Sequence, residues 1–176
     1  MWVFGYGSLT WKVDFPFEES LVGYIKGYKR RFWQLSTDHR GLPGKPGRVA
    51  TLVPAESEEV WGVAYRIAQS DASHVRDHLE YREKEGYSAV EVVFHPREKK
   101  KSSFALMLYI GAAENPFYKP AADDEIAEVI YKSTGLSGKN SDYLFNLAEY
   151  VRRNIPEDKD KHLFKLEKLV KRMVCF

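Results

Sequence analysis

Through the first two thirds of the chain, apolar residues come in short runs that suit strands. Trp2 to Phe4 is one such run, and it halts at Gly5-Tyr6-Gly7-Ser8. From Leu21 to Leu35, Tyr24, Tyr28, Phe32 and Trp33 are set among basic residues, a pattern for a long half-exposed strand with an irregularity at Gly27. Further strands are predicted at Val49–Val53, Val60–Ile67, Tyr87–Phe94 and Phe104–Ile110. The last two, separated by the charged turn Pro96–Lys101, read as an antiparallel hairpin.

Helical spacing interrupts this series once and then takes over. Ala72, Val75 and Leu79 form a narrow stripe capped by Ser70, and the pattern dissolves at Arg82-Glu83-Lys84-Glu85-Gly86. In the final third, Ile126, Val129 and Ile130 make a helix capped by Asp123 and ended by Gly135. Leu144, Leu147, Ala148 and Val151 make the next, and Leu163, Leu166, Leu169, Val170 and Met173 the last. Strands first and helices after predict an α+β fold with a helical C-terminal third rather than a doubly wound sheet. Between strands, Gly41 to Arg48 packs three glycines, two prolines and two cations into eight residues, which excludes strand and helix. It is either a binding loop or lid, or a plain hairpin connection.

Composition narrows the class. A chain of 176 residues with 44% hydrophobic and 14% aromatic content is a packed globular protein, expected to form a single domain over 1–176. Twenty-seven basic against 25 acidic residues leave +2, no electrostatic footprint for nucleic acid. The lone Cys175 excludes an intrachain disulfide framework and a cysteine zinc site. The longest apolar run, Phe104–Ile110, is far short of the ~20 residues of a membrane span. Without a basic, apolar leader at the N-terminus, the expected location is the cytoplasm.

Candidate chemistry is sparse. Gly5-Tyr6-Gly7-Ser8-Leu9 ends a strand with successive backbone N–H groups that suit a carboxylate, a phosphate or a developing oxyanion, although such a turn is also a common structural device. It lacks the third glycine of a dinucleotide fingerprint and the spacing of a nucleophile elbow. His74 and His78 lie four apart but without the glutamate of a metalloprotease motif, and read as a solvated pair. His39 could serve as a base or a binding donor, and reads first as a structural hydrogen-bonding residue. Glu80, Glu83 and Glu85 cluster at a helix-to-strand junction, where a carboxylate can point into a barrel mouth or into solvent.

Several motifs together carry a resemblance. Trp2-Val3-Phe4-Gly5-Tyr6-Gly7-Ser8-Leu9, Ser36-Thr37-Asp38-His39-Arg40-Gly41, Gly44-Lys45-Pro46-Gly47-Arg48, Arg82-Glu83-Lys84-x-Gly86-Tyr87 and Asn140-x-x-Tyr143-Leu144 resemble, in this order, the ChaC family of glutathione-specific γ-glutamylcyclotransferases. The early start of the first motif is similar to the shorter branch of that family, without an N-terminal extension. The resemblance implies a small mixed β-barrel flanked by helices. It also implies conversion of reduced glutathione to 5-oxoproline and cysteinylglycine with no metal or cofactor. It assigns the acid–base role to Glu83 and substrate binding to Val3, Phe4, Gly5, Tyr6, Gly7, Ser8, Leu9 and Tyr143. Thr10 departs from the aliphatic residue frequent in relatives.

The residues themselves are compatible with that reaction. The substrate's own α-amine is the nucleophile, so the missing Ser, Cys or Lys nucleophile is no obstacle. A carboxyl raised by burial can take the amine's proton and return it to the leaving nitrogen. Arg40, Lys45 and Arg48 are candidates for attracting the glycine carboxylate. The expected partner is glutathione alone, with no nucleic acid or membrane, on a monomer or homodimer. Two alternatives stay open: a cyclotransferase for other γ-glutamyl amino acids or amines, and a noncatalytic regulatory binding protein.

Overall fold

The computed structural model describes residues 1–81, 86–111 and 113–175. Strands β1 (Trp2–Gly5), β2 (Glu19–Ser36), β3 (Gly47–Arg66), β4 (Tyr87–Pro96) and β5 (Phe104–Gly111) close into a barrel in the order β1-β3-β2-β4-β5. Every pairing is antiparallel except β1 with β5, which run parallel at Val3 and Met107, so the barrel is mixed. Helix α1 (Ala72–Glu80) follows β3. After β5 come α2 (Asp123–Lys132), the two-residue strands β6 (Thr134–Gly135) and β7 (Gly138–Lys139), α3 (Asn140–Asn154) and α4 (Lys161–Val174). The α+β class, the mixed barrel and the helical C-terminal part all agree with expectation.

Strands β2 and β3 form one long hairpin, and here the structure corrects the sequence reading. Val49–Val53 and Val60–Ile67, expected as two strands, fall in one strand, β3, which ends at Arg66, one residue short of the second. Its two halves pair with separate stretches of β2: Glu59–Arg66 with Glu19–Lys26, and Gly47–Pro54 mostly with Tyr28–Ser36. Between them the polar run Ala55–Glu58 leaves the ladder opposite Gly27, whose φ of +85° only glycine adopts freely. The run interrupts the apolar pattern, which is why two strands were expected; it bulges without reversing the chain.

The Gly41–Arg48 segment makes the hairpin connection between β2 and β3. Leu42 and Lys45 exchange backbone hydrogen bonds of 3.0 Å, and Gly47 and Arg48 already belong to β3. Two helix starts also differ. The cap of α1 is Asp71, not Ser70. Asp123 sits in the first turn of α2 behind Ala122, because its carboxylate is drawn to His162 and Lys165 of α4. Helix α2 stops at Lys132, before Gly135, where the chain extends into the β6–β7 hairpin.

The apolar residues form two buried clusters with β1 between them. Phe4 joins Ile25, Phe32, Leu52, Phe94 and Leu108 inside the barrel, backed by Leu144, Leu147, Leu163 and Leu166. Val3, its neighbour, points the other way, into a cluster with Val63, Tyr65, Val75 and Leu79 beneath α1. Alternation along a strand makes this unavoidable. The Gly5–Ser8 turn therefore leaves β1 where the two cores meet.

Candidate active site

One face of β2 organises the region around that turn. Arg30, Phe32, Gln34 and Ser36 occupy alternate positions and are all buried, with Phe32 and Gln34 at 0% exposure. Arg30 Nε donates to the Tyr6 carbonyl at 3.0 Å. Phe32 meets the ring of Tyr143 edge-on, with centroids 5.9 Å apart. Ser36 Oγ accepts the backbone N–H of Arg40 at 3.0 Å. Period-two alternation thus reaches the turn, the tyrosine of α3 and the cation of the β2–β3 connection from a single strand.

The turn is fixed from both ends. Tyr6 donates its hydroxyl to the Tyr109 carbonyl at 2.7 Å, and Tyr65 donates to the Leu9 carbonyl at 2.5 Å. Ser8–Thr10 is a single 3-10 turn, and the Thr10 hydroxyl donates to the Gly7 carbonyl at 2.8 Å. The departure from an aliphatic residue at this position thus supplies one more tether. Gly7 has no room for a side chain: a Cβ there would lie 2.7 Å from the Tyr143 hydroxyl oxygen. That oxygen accepts the Ala50 N–H at 3.2 Å, and the ring stands edge-on to Trp11 at 5.2 Å.

Of the residues predicted for the site, Phe4, Gly5, Tyr6, Gly7, Ser8, Leu9 and Tyr143 line one inner pocket, together with Ala50, Leu79, Tyr87 and Tyr109. Val3 does not line it; the side chain is wholly buried in the cluster under α1. Glu83 lies outside the described residues, but Leu79 and Tyr87, which precede and follow it in the chain, both line the pocket. Ser8, Tyr87 and Tyr143 also belong to an adjoining outer cleft, whose walls include Lys12, Ser36, His39, Arg40 and Ser137.

The three candidate cations separate clearly. Arg40 lines the outer cleft, 5.8 Å above the Tyr143 ring, with Nη1 donating to the Lys139 carbonyl at 2.9 Å. It has no carboxylate within ion-pair distance among the described residues. Burial lowers its pKa, partly offset by Tyr143 and Asp142, and an arginine so far above neutrality stays charged. Arg48 is buried and donates to the carbonyls of Phe32 and Lys119, while Lys45 is exposed at the hairpin tip. Neither lines the cleft. His39 meets Ser137, with Nδ1 and Oγ 3.0 Å apart, and not Ser8. His78 pairs with Asp14 at 3.0 Å.

Asn140, quoted in the motif Asn140-x-x-Tyr143-Leu144, acts as a surrogate strand. Its side chain accepts the Arg48 N–H at 2.7 Å and donates to the Arg48 carbonyl at 2.8 Å. This double bond pair locks the start of α3, and with it Tyr143, to β3. Sequence reasoning missed Arg30 and Phe32 as organisers of the site. The signal available was their alternation with Gln34 and Ser36 on one strand.

The family model for ChaC-like proteins matches residues 1–173. The chain belongs to the ChaC-like family. Within it, glutathione-specific γ-glutamylcyclotransferase 1 of Danio rerio is 44% identical over 170 residues, 95% of this chain and 87% of that protein. The glutathione-specific γ-glutamylcyclotransferase of Schizosaccharomyces pombe is 39% identical over 190 residues, covering 99% and 94%. A crystal structure of a γ-glutamylcyclotransferase specific to glutathione from yeast superimposes with a TM-score of 0.90 at 32% identity, over 98% of this chain and 96% of that one. The ChaC-like barrel expected from the ordered motifs is therefore the fold of this chain. Among the described residues, no helix is long and apolar enough to cross a membrane.

Proposed function

We propose that this chain is a glutathione-specific γ-glutamylcyclotransferase, a lyase that converts reduced glutathione to 5-oxoproline and cysteinylglycine. Residues 1–176 act as one domain, in the cytoplasm, as a monomer or homodimer and with glutathione as the partner molecule. The observation that carries the reading is the meeting of Tyr6-Gly7-Ser8 with Tyr143 on the floor of a cleft whose outer end holds Arg40. That floor suits a compact γ-glutamyl group, and the cation beyond it suits a carboxylate one dipeptide away.

In this reading the α-amine of the glutamyl unit attacks the γ-carbonyl carbon. A new C–N bond closes the five-membered lactam, and the γ-amide C–N bond breaks. Glu83 removes a proton from the α-ammonium group and delivers it to the departing cysteinyl nitrogen, then passes on the second proton that the attacking nitrogen sheds. One carboxyl thus serves as base and then as acid, the lactam forms as N–H and the cysteinyl amine leaves as ammonium. The sequence neighbours Leu79 and Tyr87 in the pocket wall support this assignment. The oxyanion formed on attack is met by backbone N–H groups around Gly7 and Ser8, each worth ~3–4 kcal/mol when well placed. Val3, Phe4, Gly5 and Leu9 hold the turn's shape from the two cores, and Tyr143 confines the glutamyl group. Holding the substrate folded supplies orientation, worth up to about 7–11 kcal/mol in favourable cases.

The test is a donor panel. Purified protein is incubated with reduced glutathione, γ-glutamylalanine and a γ-glutamylamine, and products are identified by mass. The reading expects 5-oxoproline and cysteinylglycine from glutathione and little product from the others. Equal turnover of all three would replace glutathione specificity by general γ-glutamyl cyclotransfer, and no product from any would remove the activity.

A further inference from the structure

Arg30 is one of the largest fully buried side chains of the barrel and is a cation. Its guanidinium makes four contacts. Nη1 donates to Asp158 at 3.0 Å and to Asp160 at 2.7 Å, Nη2 to the Trp61 carbonyl at 2.9 Å, and Nε to the Tyr6 carbonyl at 3.0 Å. Asp160 is also the cap of α4, with its other oxygen accepting the Leu163 N–H at 2.9 Å. The two carboxylates outweigh burial and hold the guanidinium in its charged form.

A buried ion cluster of this kind is poor value as a stabiliser, since well-packed apolar side chains of similar volume usually do as well or better. What an arginine does that they cannot is fix a carbonyl's direction through a rigid planar fork. The carbonyl fixed here belongs to Tyr6. In a trans peptide unit the C=O and the following N–H point in opposite directions, and no described peptide is cis. Anchoring the Tyr6 oxygen toward Arg30 therefore turns the Gly7 N–H away from it.

We infer that Arg30 is a positioning residue for cyclotransfer: held by Asp158 and Asp160, it sets the orientation of the Tyr6–Gly7 peptide unit in the substrate-binding turn. The inference rests on the function proposed above. It makes the start of α4, outside both pocket walls, part of the machinery that aims the turn.

The experiment compares kcat and KM for glutathione, together with unfolding in urea, in Arg30→Lys, Asp160→Asn and Leu166→Ala. Arg30→Lys keeps the charge but loses the fork. Asp160→Asn retains an effective cap and removes one counter-charge. Leu166→Ala, in the core of α4, measures the effect of lost stability alone. A misplacement near 1 Å costs on the order of 100-fold in rate. The expected result is a kcat lowered about 10- to 100-fold in Arg30→Lys and several-fold in Asp160→Asn, with KM within about threefold, while Leu166→Ala retains kcat within about twofold. Trimethylamine N-oxide restores a variant that is unfolded in plain buffer, and the parent is assayed in the same solvent. A kcat within twofold of the parent in both Arg30→Lys and Asp160→Asn overturns the inference. So does an equal loss in Leu166→Ala. A parent that does not turn over glutathione at all refutes the proposed function instead, before any variant is compared.

Discussion

Replacing Gly7 by alanine perturbs the site at its tightest point. The added Cβ would stand 2.7 Å from the Tyr143 hydroxyl oxygen, short of ordinary contact by about 0.8 Å. Tyr143 has little room to recede. Its oxygen takes the Ala50 N–H, and its ring lies against Trp11, Phe32 and Arg40. The turn is likewise tied down at Tyr6, Gly7 and Leu9. Either partner must shift by most of that shortfall. At about 100-fold per ångström of misplacement, kcat/KM for glutathione falls about 30- to 100-fold, or ~2–3 kcal/mol of transition-state stabilisation. Overpacking lowers folding stability by about 1–3 kcal/mol, read from urea unfolding. The decisive comparison is a cycle with Tyr143→Phe. Removing the oxygen leaves the ring carbon Cζ as the nearest atom of that side chain, at 3.8 Å, so the alanine methyl then fits. The stability losses should be non-additive by about 1 kcal/mol or more. Additive losses, or a folded Gly7→Ala enzyme within twofold of the parent, would refute the steric account.

Three further outcomes follow from the same geometry. Arg40→Met should raise KM for glutathione about 10- to 100-fold, the worth of a charge-assisted hydrogen bond, and leave KM unchanged for a γ-glutamyl donor lacking the terminal carboxylate. An unchanged KM for glutathione would dissociate Arg40 from the substrate. Asn140→Ala strands a buried N–H and C=O of Arg48, so urea unfolding should show a loss of about 2–4 kcal/mol; a loss under 1 kcal/mol would mean that these groups find other partners. His162 accepts the Phe32 N–H on Nε2, leaving Nδ1 to donate to Asp123 at 3.0 Å, and is therefore neutral. Burial, helped by Arg31, holds its pKa below the usual 6.5, against the pull of Asp160 and Asp123. The unfolded chain takes up this proton first, so its contribution is complete above pH 6.5 and declines as pH falls below it, by at most about 1.4 kcal/mol per pH unit. His162→Gln should flatten that part of the stability profile; an unaltered profile would show that His162 titrates normally.

The barrel was legible where one residue type forces one conformation or one face. The Gly27 irregularity in β2, the β4–β5 hairpin and the stripes of α3 and α4 all follow from alternation, helical spacing or glycine. The continuity of β3 was not, because a bulge and a turn share a polar composition and differ only in whether the ladder resumes. Nor were the starts of α1 and α2: at α1 the cap falls one residue later, at Asp71, with no side-chain cap bond, and at α2 tertiary partners take the carboxylate of Asp123 that would have capped. In the site, the Gly5–Leu9 turn and Tyr143 were marked by ordered motifs. The division of labour among Arg40, Lys45 and Arg48 was not, since three cations near one loop look alike until folding places one in the cleft, one in the interior and one in solvent. Arg30 escaped notice for a related reason: it follows Lys29 and precedes Arg31, a run that reads as a solvated basic surface. Strand alternation turns only the middle residue inward, to two carboxylates more than 120 positions away in the chain.

The central claim is intramolecular cyclisation driven by one carboxyl group. Its most direct test follows reduced glutathione with the native chain and with Glu83→Gln, both shown to be folded, and asks by mass whether the glutamyl half emerges as 5-oxoproline or as glutamate. The account predicts 5-oxoproline and cysteinylglycine in equal amounts from the native chain and almost none from the variant. Release of glutamate would contradict cyclisation by the α-amine, and undiminished turnover by Glu83→Gln would take the acid–base role away from Glu83.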